Sequence, residues 1–117
     1  MAAAPDDPGL EIDVADLEPA LEAGEVTLID VREPHEWEAG RIPGALHVPL
    51  GELGARFQEL PTGRPVVFQC LSGGRSLRAA QAFQAAGYPA VSLRGGIRAW
   101  VEAGHPLDPE DGTVAEH

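Results

Sequence analysis

The sequence contains no lysine: its eight basic residues are all arginines, set against 19 acidic residues for a formal net charge of −11. Nucleic acids and anionic membranes both select a positive surface, so this chain is expected to bind neither. There is one cysteine, Cys70, which excludes an internal disulfide scaffold. One cysteine and four scattered histidines lack the spacing of a ligand set, so no metal is expected. Without lysine there is no Gly-Lys-Ser/Thr and hence no phosphate-binding P-loop. No run is long and apolar enough to span a membrane. The opening residues, Met1 to Pro8, lack the basic and apolar regions of a secretory signal, so a cytoplasmic location is expected. Aromatic residues make up only 5% of the chain, so its core must be aliphatic side chains and alanine around a few rings.

What is present fits one domain with one core, since the chain has 117 residues and a 44% hydrophobic share. Residues 1–8 are small, proline-rich and acidic and are read as a flexible N-terminal segment. Residues 106–117 are polar and aperiodic and are read as a flexible tail. The folded domain is placed at 9–105. Within it, apolar runs alternate with helical patterns. Strands are expected at Glu11-Ile12, Val26 to Val31, Leu46 to Val48, Val66 to Cys70 and Ala90 to Leu93. Helices are expected after Asp13 or Asp16, from Pro34 to Gly40, over Leu50 to Leu60 despite Gly51 and Gly54, over Ser76 to Ala86, and after Gly95-Gly96. A start at Asp16 puts Pro19 in the first turn, where proline is tolerated. Residues 61–65 form a loop. Strands alternating with helices imply an α/β fold, a mostly parallel central sheet with helices on both faces. Ligands in such folds sit at the carboxyl ends of the strands, where Cys70 falls.

The chemistry concentrates in Cys70-Leu71-Ser72-Gly73-Gly74-Arg75-Ser76, between a buried strand and a helix. Two glycines let the backbone turn tightly and converge its N–H groups on one point. The helix N-terminus adds a positive dipole end, and Arg75 adds a permanent charge. Such surroundings lower a cysteine pKa from about 8.5 into the range of about 3.5–7.5. They also attract an anion. Cys70 is therefore the candidate nucleophile, and residues 71–76 the candidate anion- and substrate-binding loop.

Taken with two further segments, this loop resembles the rhodanese-like sulfurtransferase family. Cys70-x-x-Gly73-x-Arg75-Ser76 is similar to that family's active-site loop. Asp30-Val31-Arg32-Glu33 with Glu36-Trp37-x-x-Gly40-Arg41-Ile42-Pro43-Gly44-Ala45 resembles its N-terminal signature, and Gly95-Gly96-Ile97-x-x-Trp100 its C-terminal one. The resemblance runs from about Ile12 to Gly104. It implies a single-domain rhodanese-like fold and sulfur transfer through a persulfide on Cys70, without metal or organic cofactor. The implied partners are a small sulfur-donor anion such as thiosulfate, or a protein persulfide or polysulfide, and a thiol or protein acceptor. A monomer or weak homodimer is expected. Cys70 to Arg75 is six residues counted inclusively, whereas related phosphatases use a loop one residue longer; the shorter loop suits a sulfur atom rather than a phosphate or arsenate.

The resemblance also makes Asp30 a structural acid tying loops near the site. Arg32 either pairs with Glu33, Glu36 or Glu38 or faces the pocket. Trp37 and Trp100 are expected in the core, and Arg78 faces either the pocket mouth or solvent. His35, His47, His105 and His117 show no base role. Two departures stand out. Arg41 occupies a position where the family often has histidine, a change that is either neutral or adds charge near the site. The loop interior is uncharged where many thiosulfate-using members carry a basic residue, which counts against thiosulfate as the natural donor. The reading from another class is a binding or regulatory module in which Cys70 is a sensor thiol.

Overall fold

The apolar runs become strands because both of their faces are covered. In the computed structural model, which describes residues 9–60 and 63–115, β1 spans Glu11–Ile12, β2 Thr27–Asp30, β3 Leu46–His47, β4 Val66–Gln69 and β5 Ala90–Leu93. All pair in parallel, in the order β1-β5-β4-β2-β3. Side chains alternate along each strand. Leu28, Val67 and Leu93 enter one hydrophobic cluster; Ile29, Val66, Phe68 and Ala90 enter the other. The segment 1–8, read as flexible, lies outside the described residues. So do Pro61 and Thr62 of the proline-rich loop, and His117.

Helices α1 (Val14–Glu22) and α5 (Gly96–Glu102) cover the first cluster through Val14, Leu17, Ile97 and Trp100. Helices α3 (Leu53–Arg56) and α4 (Gly74–Ala85) cover the second through Leu53, Ala79 and Ala80. The small alanines let α4 lie close to the sheet, and Phe83 packs edge-on against Phe68 with centroids 4.9 Å apart. The fold is thus α/β, with helices on both faces of a parallel sheet. No helix among the described residues is long and apolar enough to cross a membrane.

One open choice is decided and two local expectations change. Helix α1 starts at Val14, with Asp13 as its N-cap, and carries Pro19 in its interior. Starting there buries both Val14 and Leu17. The cost is small because Pro19 and Ala15, whose carbonyl loses its donor, are both exposed to water. The Leu50–Leu60 stretch is not one helix: α3, which contains Gly54, is flanked by 3₁₀ turns at Leu50–Glu52 and Phe57–Glu59. The segment read as a flexible tail from residue 106 is bound to the domain through its described part. Leu107 is buried in the first cluster, and the Pro106 carbonyl accepts the Trp100 indole N–H at 2.8 Å. Asp108 exchanges backbone hydrogen bonds with Arg41, and the Thr113 N–H donates to the Ala39 carbonyl. Val114 also packs against that cluster. Two large apolar residues seven positions apart in a polar stretch form no repeating pattern, so the sequence did not announce this packing.

Leu107→Ala is expected to lower the unfolding free energy by about 2 kcal/mol in urea denaturation, the low end for a buried leucine at a core margin. A loose tail would give no change.

Candidate active site

The register of the sheet sets the site. Asp30 pairs with Gln69 across β2 and β4, and with His47 across β2 and β3, so these strands end at one edge. Cys70 follows β4 directly at that edge. Its side chain falls on the α4 side and is almost fully buried. The chain then turns through Gly73, at a φ of +116° open to glycine and strained for other residues, into the first turn of α4.

This turn aims hydrogen-bond donors at the sulfur. The Gly73 N–H reaches Cys70 Sγ at 3.1 Å and the Ser76 N–H at 3.4 Å. Ser76 Oγ lies 3.4 Å from Sγ and 2.7 Å from Ser92 Oγ on β5. Burial pushes the Cys70 thiol up. Hydrogen bonds from the Ser76 hydroxyl and from the N–H groups of Ser76, Gly73 and Arg75 outweigh it, and hold the thiol below its ordinary value. Leu71 turns into the first hydrophobic cluster, while Ser72 and Gly74 are exposed.

Beneath the loop lies the turn into α5. The Ile97 N–H donates to the Cys70 carbonyl at 2.9 Å and the Arg98 N–H to the Leu71 carbonyl at 3.3 Å. Gly96 has a φ of +62°, and a Cβ there would collide with the Cys70 carbonyl oxygen and come within 2.6 Å of the Leu71 carbonyl. The third sequence signature is thus the floor of the first.

Arg75 does not stand free as the sequence suggested. Its two terminal nitrogens bind the two carboxylate oxygens of Glu36 on α2 (Pro34–Ala39), at 2.9 and 3.0 Å. Glu36 is fully buried and also accepts the Glu33 N–H at 2.9 Å. Burial pushes its carboxyl up, but the hydrogen bonds of Arg75 and Glu33 and the charges of Arg75 and Arg32 bring it below the usual range. The charge of Arg75 is therefore balanced beside the sulfur. Hydrogen-bond donors, rather than a bare cation, favour the thiolate.

Asp30 and Arg32 pair with each other. Arg32 is fully buried and donates from Nε and Nη2 to the Asp30 carboxylate, which also accepts the Arg32 N–H at 2.9 Å. Arg32 Nη2 reaches the Gly40 carbonyl at 2.8 Å as well. This corrects the expected pairing of Arg32 with Glu33, Glu36 or Glu38: two side chains on one face of an extended strand end, two residues apart, meet first. His47 binds the Arg32 carbonyl at 2.8 Å through Nε2. Trp100 is in the core as expected, whereas Trp37 is half-buried, stacked on His47 at 4.8 Å with the Arg41 guanidinium 4.9 Å from its ring. Arg41 also ion-pairs with Asp108 at 3.9 Å. Arg78 is exposed on α4.

Sequence reasoning missed two residues. Glu36 figures in the sequence only within a signature and as a possible partner of Arg32, not of Arg75, although a carboxylate at the third position of a Pro-initiated helix is a capping signal. Ser92 was absorbed into an apolar strand, where its being polar was the signal. Two concavities, of about 240 and 530 Å³, lie elsewhere. The smaller is lined by Phe57, Phe83, Tyr88 and Pro89, and the larger by Leu21, Pro43 and Trp100; neither is lined by Cys70. The loop is its own cradle.

Fold and loop together define a class: a parallel α/β domain presenting a cysteine, ringed by hydrogen-bond donors, at the carboxyl edge of its sheet. The chain matches the rhodanese-like domain family over residues 13–103 and belongs to it. It is 40% identical over 104 residues to a sulfurtransferase of Allochromatium vinosum, covering 87% of this chain and 97% of that protein. A rhodanese-related protein from Thermoplasma volcanium superposes with a TM-score of 0.78 at 32% identity, over 84% of this chain and 96% of that one. A thiosulfate sulfurtransferase from Pseudomonas aeruginosa does so with a TM-score of 0.78 at 30% identity, over 90% of this chain but only 21% of its own.

Two outcomes follow from this geometry. Gly96→Ala is expected to cost about 2–4 kcal/mol in urea unfolding, from positive φ and collision together, and to slow alkylation of Cys70 by displacing its loop. Glu36→Gln tests the carboxylate. Because its folded value is lowered, Glu36 contributes stability above the unfolded value near about 4.3, and that contribution is lost as pH falls through the folded value. The gap between wild-type and Glu36→Gln urea midpoints is expected to be full at neutral pH and to close in acid.

Proposed function

We propose that this protein is a sulfurtransferase in which Cys70 carries the transferred sulfur as a persulfide. The observation that carries the reading is the set of donors converging on Cys70 Sγ from Gly73 and Ser76 at the N-terminus of α4. The sulfurtransferase name of the Allochromatium vinosum relative supports the same chemistry.

The Cys70 thiolate attacks the outer sulfur of a sulfane donor. With thiosulfate, the S–S bond breaks with its electron pair on the leaving sulfite, and a Cys70 persulfide anion forms. A thiol, cyanide or protein cysteine then takes the outer sulfur and returns the thiolate. One hard transfer is split into two easier ones. The loop N–H groups supply fixed dipoles for an anionic sulfur in both states, without reorganisation.

Because Glu36 balances Arg75, the loop offers no free cation to a dianion. That supports a persulfide, polysulfide or protein-bound donor as the natural one, with thiosulfate a poorer substitute. A cytoplasmic setting and a thiol or protein acceptor complete the proposal.

Intact mass after exposure to thiosulfate, polysulfide and a low-molecular-weight persulfide is expected to show one added sulfur on the wild type and none on Cys70→Ser. Thiocyanate formation with cyanide should disappear in the same variant. Thiocyanate at the wild-type rate from Cys70→Ser would overturn the proposal. The alkylation rate of Cys70 should rise with pH through an inflection below about 8.5, since a lowered pKa ionises the thiol earlier.

A further inference from the structure

Ser92 lies on β5, outside the loop that carries Cys70. It is fully buried in β5, on the face covered by α4, and pairs across the sheet with Phe68 and Glu11. Its hydroxyl has one hydrogen-bond partner among the described residues, Ser76 Oγ at 2.7 Å. A buried hydroxyl proton without an acceptor is costly, so Ser92 donates and Ser76 accepts. Ser76 also has one proton. It cannot go to Ser92, whose own proton occupies that line. Two acceptors remain: the Gly73 carbonyl at 3.3 Å and Cys70 Sγ at 3.4 Å. A thiolate carries charge and a carbonyl does not, so ionisation of Cys70 turns the Ser76 proton to sulfur.

We propose that Ser92 is a positioning residue for Cys70: by donating to Ser76 it commits the Ser76 proton to the thiolate. The relay runs from the sheet interior to the sulfur across three elements, β5, α4 and the loop after β4. It rests on Cys70 being the reacting thiol. It concerns only the ionisation of that thiol, which is measurable without any sulfur donor. The charged groups facing the sulfur are Arg75 of α4, with Glu36 and Glu33 at the start of α2 behind it. Substituting Ser92 leaves all three in place.

The test is the pH dependence of Cys70 alkylation by iodoacetamide in the full chain, for wild type, Ser92→Ala, Ser76→Ala and the double variant. Ser92→Ala is expected to move the inflection upward and to slow alkylation about threefold at a fixed pH below it. In the Ser76→Ala background the same substitution should change nothing, because the hydroxyl it acts through is gone. Ser92→Gly provides a second hydroxyl deletion, so the result does not hinge on one variant folding. An unmoved inflection, or an equal shift with and without the Ser76 hydroxyl, would overturn the relay. If the wild type takes up no sulfur from any donor while the Ser92 shift is present, the relay stands and the sulfurtransferase reading fails.

Discussion

Glu36 is fully buried, and a buried carboxylate is tolerable only where its charge is met. It is met by Arg75 through two hydrogen bonds and by the Glu33 N–H through a third. That one side chain joins the start of α2 to the first turn of α4, and so closes the far end of the Cys70 loop. The near end is closed by β4 and the underside by Gly96. A buried ion pair adds little net stability, because desolvation offsets the attraction. Its value here is geometric: with three boundaries fixed, the loop amides cannot turn away from the sulfur they face.

The same pairing decides what kind of electrostatics the site uses. A free arginine would have drawn anions and steadied the thiolate through charge. A neutralised one leaves short-range dipoles: two amides and a hydroxyl within hydrogen-bond reach of Sγ. Dipoles of this kind act over a few ångströms and select the atom placed among them, whereas a charge acts over about 10 Å at 0.1 M salt and selects by sign. In a chain of net charge −11, the long-range field opposes a small dianion. The arrangement acts on Sγ by contact, not by attraction at a distance.

Much of this was legible. The apolar runs marked the strands because parallel strands are covered on both faces, and alternation with helical patterns marked the sheet as parallel. Cys70, Gly73 and Ser76 stood out because one local turn brings them together, and local turns are written in adjacent residues. What sequence spacing did not show was pairing across elements. Glu36 and Arg75 are 39 positions apart, and Ser76 and Ser92 are 16 apart. No periodicity links them, and only the register of the sheet brings them into contact. Arg32 misled in the other direction: with acids on both sides in sequence, the partner two residues back is favoured only once the backbone is known to be extended. Leu107 was hidden because it and Val114 are isolated from each other in a polar stretch and form no repeating pattern.

The fully buried polar residues also follow a rule. Asp30, Arg32, Glu36, Gln69 and Ser76 are fully buried, and all belong to the carboxyl ends of strands or to the segments that leave them. Val66, Val67 and Phe68, earlier in β4, are apolar and just as covered. At the carboxyl edge each chain leaves the hydrogen-bond ladder, and its backbone groups need other partners. Polar side chains placed there satisfy backbone groups such as the Gly40 carbonyl and the Glu33 N–H, and in doing so fix the loops. Ser92 is the member of this set that reaches furthest back into the sheet, beside Phe68, where a hydrocarbon would pack at least as well. A polar group in that place is explained by what it touches, and what it touches is Ser76, the residue that supplies both an N–H and a hydroxyl to Cys70.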